Sequence, residues 1–319
     1  MLAVGGVAAL LAVTGCTDSH NDDKVRDAGG AGAAGGPPLI AEAEAKTVLA
    51  RITAANNKAN AALDAGQVAG FEAEASLASD EAALRTYAGR DIGEFDYEVE
   101  TLLAPSSTAG VDFFVADTVT GSATQHFPLV LVRAGQEWRV VHSAPLEVPL
   151  PEVRKGAAGS VEVVAADDPG GTLIASPQQI AEAHAAALSR APASGLFAGD
   201  NVSARVVAAS EVREAIRFED DQPAATFAVA SAVAPFPVRA LRTADGGAMV
   251  AYTTRTAYTA TRAGAEADLG PVLTKLGGRT AAGEVTVSVL NMWWTKVPAK
   301  GAGDKVTVLG GSNQPTEVK

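Results

Sequence analysis

From Leu39 onward the chain alternates between two kinds of apolar pattern. Val48, Ile52, Ala55, Ala59 and Ala62 recur at spacings of four and three, the repeat of one face of an amphipathic helix. Gly66 offers a stop. A second helical stretch is predicted over Asp80–Tyr87, with Ser79 or Asp80 as N-cap. From Phe95 the pattern turns extended. Strands are predicted at Tyr97–Leu103, Val111–Val119, Phe127–Arg133 and Trp138–His142, the last two joined by the hairpin connection Ala134-Gly135-Gln136-Glu137.

Pro145, Pro149 and Pro151 break this run, and a Gly/Ala/Asp-rich stretch continues through Asp167-Asp168-Pro169-Gly170-Gly171. Then the plan repeats. Leu173-Ile174-Ala175 echoes Leu39-Ile40-Ala41 and is followed by a predicted helix, Pro177–Ala191, with Pro177 in its first turn. A second helix is predicted near Ser210–Arg217, then strands at Thr226–Val233, Val238–Thr243, Ala248–Arg262, Glu284–Val297 and Lys305–Leu309. Helices first and antiparallel strands second, twice over, predict two tandem α+β domains, each a curved sheet over its helices. The element order is that of a cone-shaped nuclear-transport-factor-2-like fold or a cystatin-like one. The expected domains are residues 39–150 and 173–319, with 151–172 as linker.

The first 38 residues carry a different pattern. Leu2–Val13 is apolar but shorter than the roughly 20 residues that span a bilayer. It has the length of a signal-peptide core. Val13-Thr14-Gly15-Cys16 resembles a bacterial lipobox, in which the cysteine receives a diacylglycerol and becomes the mature N-terminus. Two acyl chains anchor stably where one is marginal. Residues 1–15 are therefore expected to be a signal peptide and Cys16 the lipidation site. No Lys or Arg precedes Leu2, so the positively charged leader is expected upstream of Met1. Residues 16–38, polar and then Gly/Ala-rich through AGGAGAAGGPP, read as a flexible tether.

Charge narrows the partners. With 25 basic and 37 acidic residues the net charge is −12, which repels nucleic acid and anionic headgroups alike. Membrane attachment then needs a covalent lipid. A lone cysteine rules out an intrachain disulfide and thiolate metal sites. Three stretches, Val48–Asp64, Phe113–Thr118 and Ala240–Tyr258, together resemble an uncharacterised family of actinobacterial membrane-attached and secreted proteins. The resemblance implies an extracytoplasmic location and brings no activity.

Candidate chemistry is sparse. The sequence holds no HExxH, GxSxG or P-loop pattern, and Gly264–Gly283 lacks the strand–GxGxxG–helix order of a phosphate cradle. No cofactor is expected. His20 falls in the tether and His184 on an apolar helix face, where it reads as a core residue. His126 and His142 lie on adjacent predicted strands, without a third ligand that would make a metal site. Asp167-Asp168 and Glu219-Asp220-Asp221 read as solvated loops. Asp112 and Asp117, five positions apart, face opposite sides of a regular strand. Adjacent Trp293 and Trp294 also face opposite sides, and an outward one would mark a ligand or partner surface.

The leading expectation is a non-enzymatic, lipid-anchored binding module for a small apolar ligand or an envelope protein. The alternatives are an enzyme with Asp112 or Asp117 as general base beside Tyr97, and an accessory subunit of an envelope complex.

Overall fold

A computed structural model of the chain describes residues 35–87, 89, 92–120, 125–189, 195–198, 212, 216–277 and 283–319. Its class is α+β with antiparallel sheets and few helices. Helix α1 (Glu42–Ala62) covers the predicted repeat. It ends at Leu63, whose left-handed backbone (φ 49°) returns its N–H to the Ala59 and Asn60 carbonyls. Gly66 serves instead in the 3-10 turn Ala65–Gly70, donating its N–H to Asp64 at 2.9 Å. Helix α2 (Glu74–Thr86) begins well before the predicted start, and Ala73 gives it no side-chain cap. A tertiary bond from the Ala73 N–H to the Val140 carbonyl sets that start. No local signal marks it.

Strands β1 (Tyr97–Leu103), β2 (Phe113–Thr120), β3 (His126–Ala134) and β4 (Glu137–Ser143) form a four-stranded antiparallel meander in chain order. After them come β5 (Val163–Val164), helix α3 (Pro177–Leu188) and β6 (Arg217–Phe218). Then follow β7 (Thr226–Val233), β8 (Arg239–Arg242), β9 (Ala248–Thr261), β10 (Ala267–Asp268), β11 (Glu284–Val297) and β12 (Thr307–Val318). The second sheet runs β12-β11-β9-β8-β5. One half of β9 pairs with β8, the other with β7. Helix α3 opens with a capping box between Ser176 and Gln179, with Pro177 in its first turn. The helix predicted at Ser210–Arg217 lies largely outside the described residues, and Arg217 belongs to β6.

Alternation along the strands builds the layers. Phe114 and Ala116 of β2, with Leu129 and Leu131 of β3, face Leu49 and Ile52 of α1. Their neighbours Phe113, Val115, Val130 and Val132 face the other way, into one cluster with Met249, Ala251, Met292 and Trp294 of the second sheet. The far side of that sheet, through Val250, Tyr252 and Trp293, packs on Ile180 and Leu188 of α3. The order is helices, sheet, sheet, helix. Sheets covered on both faces carry near-continuous apolar runs, as in Phe113–Ala116 and Leu129–Val132.

The shared cluster revises the domain expectation. Residues 32–319 make one compact unit, and the core between the sheets draws on both halves. Residues 151–172, expected as a linker, are pinned to both sheets. Val153 pairs with Thr243, Val161 pairs with Pro105, and β5 pairs with β8. Asp168, expected to be solvated, is buried and accepts the Thr172 and Leu173 N–H groups at 2.8 and 3.0 Å. Strand β12 runs past the predicted end at Leu309 because Gly310 and Gly311 serve close approach. A Cβ on Gly310 would lie 2.0 Å from the Pro145 carbonyl oxygen, and one on Gly311 2.6 Å from the Trp293 ring.

Trp294 is 1% exposed at the centre of this seam. Trp294→Ala is expected to cost about 3–5 kcal/mol of stability, measured by urea unfolding. A cost below about 1 kcal/mol would mean that the sheets do not pack through it.

Candidate functional site

Asp117 is a buried carboxyl that the fold must accommodate. It follows Phe113 and Val115 on the seam-facing side of β2, and its side chain is 1% exposed. The hairpin register places Asp117 opposite Pro128 and Val119 opposite His126, so Asp117 and His126 are diagonal neighbours on one face. His126 Nδ1 and Asp117 Oδ2 are hydrogen-bonded at 2.7 Å. Burial pushes the Asp117 carboxyl above its ordinary range, and the His126 contact partly opposes that. The other oxygen, Oδ1, is buried without a hydrogen-bond partner.

A third group arrives through an irregularity. The β1–β2 register shifts between Val99 and Thr101, and Glu100 is the extra residue. Such bulges re-aim side chains and recur beside functional sites. Glu100 Oε2 stands 3.7 Å from His126 Nδ1. The three ligand-type atoms of Glu100, Asp117 and His126 lie within 4.8 Å of one another.

Asp117 and His126 open onto a cleft of about 670 Å³, walled by Thr101 and Leu103 of β1 and by residues 149–155. Leu150 and Val153 give it apolar surface, while Glu152, Arg154 and Lys155 supply charge. A second hollow, of about 640 Å³, lies between α1 and residues 94–99, with Asn57 and Tyr97 on its wall.

The residues singled out in the sequence are placed as follows. Asp112 is exposed. Tyr97 lies on the helix-facing side of the first sheet, 6.0 Å from the Phe95 ring and 6.3 Å from Phe127. Neither aspartate therefore shares a pocket with Tyr97, which corrects the expected acid–base pairing. The carboxyls near Tyr97 are Glu72 and Asp80, hydrogen-bonded to each other and both pushed up, burial being the first cause. Burial raises Tyr97 as well, and those two carboxyls add to the effect.

Trp293 and Trp294 form no exposed surface, being 4% and 1% exposed. Both faces of their sheet are covered. The Trp293 indole N–H donates to Thr254 Oγ1 at 3.0 Å, and its ring lies 4.6 Å from that of His184. His184 is buried, with Nδ1 2.6 Å from the Tyr252 hydroxyl. His126 and His142 are not brought together. His142 packs edge-on against Trp294 at 5.1 Å. Cys16 and His20 lie outside the described residues. The sequence reading missed Glu100 because a regular strand gives no warning of a bulge. It missed the Asp117–His126 pair because their relation depends on the hairpin register.

Burial lowers the His142 imidazole to about 3, with the positive charge of Arg239 contributing. The native state keeps this ring neutral, while the unfolded chain protonates it below about 6.5. The stability it contributes is full above that pH and is lost as pH falls toward 3. His142→Phe keeps the ring contact and removes the titration. Between about pH 7.5 and about pH 4.5 the natural protein is expected to lose roughly 2–3 kcal/mol relative to this variant. Parallel pH profiles in urea unfolding would contradict it.

No curated protein and no solved structure matches the chain. One family model does, over residues 37–319, and its description is a domain of unknown function, DUF8094. That match takes in the four-stranded and six-stranded sheets, helices α1, α2 and α3, and the cleft. The chain belongs to the DUF8094 family.

Proposed function

We propose that the chain is a lipid-anchored, extracytoplasmic and non-enzymatic binding module that holds a small molecule in the cleft over Asp117 and His126. The cleft carries this reading. Its volume of about 670 Å³ falls in the range of small-molecule sites, which combine apolar walls with a few convergent polar groups. Leu103, Leu150 and Val153 offer the apolar wall, and Asp117 with His126 the polar floor. The proposed ligand is accordingly small and mostly apolar, with one polar end. The anchor half rests on the Val13-Thr14-Gly15-Cys16 pattern and the Gly/Ala-rich tether. No helix among the described residues is long and apolar enough to cross a membrane. The proposal also keeps the tandem plan as a statement about ancestry. Helices α1 and α2 precede the first sheet, and α3 precedes all of the second sheet but β5, which supports reading the layers as two related cone-shaped or cystatin-like halves fused through one core.

A second reading has one observation in its favour. Asp117, raised by burial, bonded to His126 and open to a cleft, has the surroundings of a general base. Tyr97 takes no part in it.

Native mass spectrometry of the protein isolated from its own host tests the cleft. The expected result is a reproducible added mass, lost on denaturation and lost in Leu150→Trp, which fills the cleft without touching Asp117 or His126. An added mass unchanged in Leu150→Trp would place the ligand elsewhere, and a clean unliganded mass would end the carrier reading. Separately, Cys16→Ser is expected to move the protein from the membrane fraction to the soluble one. Unchanged membrane association would refute the lipid anchor.

A further inference from the structure

We propose that Glu100, Asp117 and His126 form a binding site for one divalent transition-metal ion of the zinc class, with its open coordination position facing the cleft. This deepens the cleft reading and rests on it for the fourth ligand.

One imidazole nitrogen and two carboxylates already lie within 4.8 Å of one another. A tetrahedral ion with bonds of roughly 2.0–2.1 Å holds its ligand atoms about 3.3 Å apart. The present separations from His126 Nδ1, 2.7 Å to Asp117 and 3.7 Å to Glu100, bracket that figure.

A buried carboxylate is costly unless it is paired or coordinates a metal. Asp117 is 1% exposed, yet only Oδ2 has a hydrogen-bond partner; Oδ1 is buried and unsatisfied. His126 engages Oδ2 alone and leaves Oδ1 unsatisfied. A dication between Asp117 and Glu100 balances both carboxylates.

An extra residue in β1 interrupts the ladder opposite Asp117, and that residue is Glu100. A bulge weakens strand pairing and persists where it re-aims a side chain. Here it supplies the third ligand, 48% exposed.

Donor chemistry selects the ion. Imidazole with carboxylates suits zinc and its neighbours, whereas calcium and magnesium take oxygen-only shells of six or more ligands. Three protein ligands with one open position are the arrangement of zinc sites that bind an exogenous group. The polar end of the cleft ligand would occupy that position.

Isothermal titration of the detergent-solubilised full-length protein with zinc chloride tests the site, with calcium chloride as comparison. Cys16→Ser provides a background without the thiol. The expected result is one zinc ion per chain, little calcium binding and a zinc-dependent rise in melting temperature. Glu100→Gln and His126→Gln are each expected to weaken zinc by at least about tenfold. Glu100 is half exposed, so its variant keeps the fold, and circular dichroism checks that.

Absence of zinc binding would overturn the proposal. So would zinc binding unaffected by either variant, or calcium binding as tight as zinc. Leu150→Trp separates this proposal from the carrier reading. A resident mass that disappears in Leu150→Trp while the natural protein binds no zinc sinks the metal alone. Zinc that binds to a chain without resident ligand sinks the carrier alone.

Discussion

The contact between the two sheets governs the rest of the molecule. Phe113, Val115, Val130 and Val132 from one sheet meet Met249, Met292 and Trp294 from the other in a single cluster. Burial of apolar surface of this kind is the main favourable term in folding. Outside this seam, α1 packs on the far face of the first sheet and α3 on the far face of the second around Val250, Tyr252 and Trp293. Backbone approach tightens the arrangement where Gly310 of β12 meets Pro145 and Leu146. Charge follows the same layout. Arg239 of β8 reaches Glu74 of α2 through two hydrogen bonds of 2.8 and 2.9 Å, a paired geometry that suits a partly buried position.

The candidate site is a consequence of that seam. A strand that points Phe113 and Val115 inward must point Asp117 the same way, and Asp117 sits where the apolar cluster gives way to the cleft. Everything polar nearby answers to this one residue. His126 meets it diagonally across the hairpin, and Glu100 comes in by the bulge in the neighbouring strand. Residues 149–155 pass over the opening on their way between sheets and make a site out of what would be a sheet edge.

Much of this was legible in the sequence. Period-2 runs located most strands, and Glu284–Val297 and Thr226–Val233 fall where the alternation put them. The α1 repeat and the first-turn Pro177 read correctly. What escaped depends on tertiary contact. Gly310 and Gly311 look like strand breakers until Pro145 and Trp293 lie against them. Residues 151–172 look like a linker until Val153 bridges to Thr243 beside β8 and Val161 to Pro105 beside β1. Adjacent tryptophans suggested an exposed aromatic because nothing local says that both faces of a sheet are covered. The apolar runs at Phe113–Ala116 and Leu129–Val132 carried that information. Hairpin counting from the β2–β3 turn could have joined Asp117 to His126. No sequence rule would have added Glu100.

The shared core is the central claim, because the cleft exists only if the sheets are held face to face. Native-state hydrogen exchange measures it directly. The slowest amides of β2 and β3 and those of β9 and β11 should exchange with the same opening free energy, and with the same sensitivity to denaturant, as members of one cooperative unit. Two sets of amides opening at clearly different free energies, one for each sheet, would contradict the account and restore a pair of independent domains.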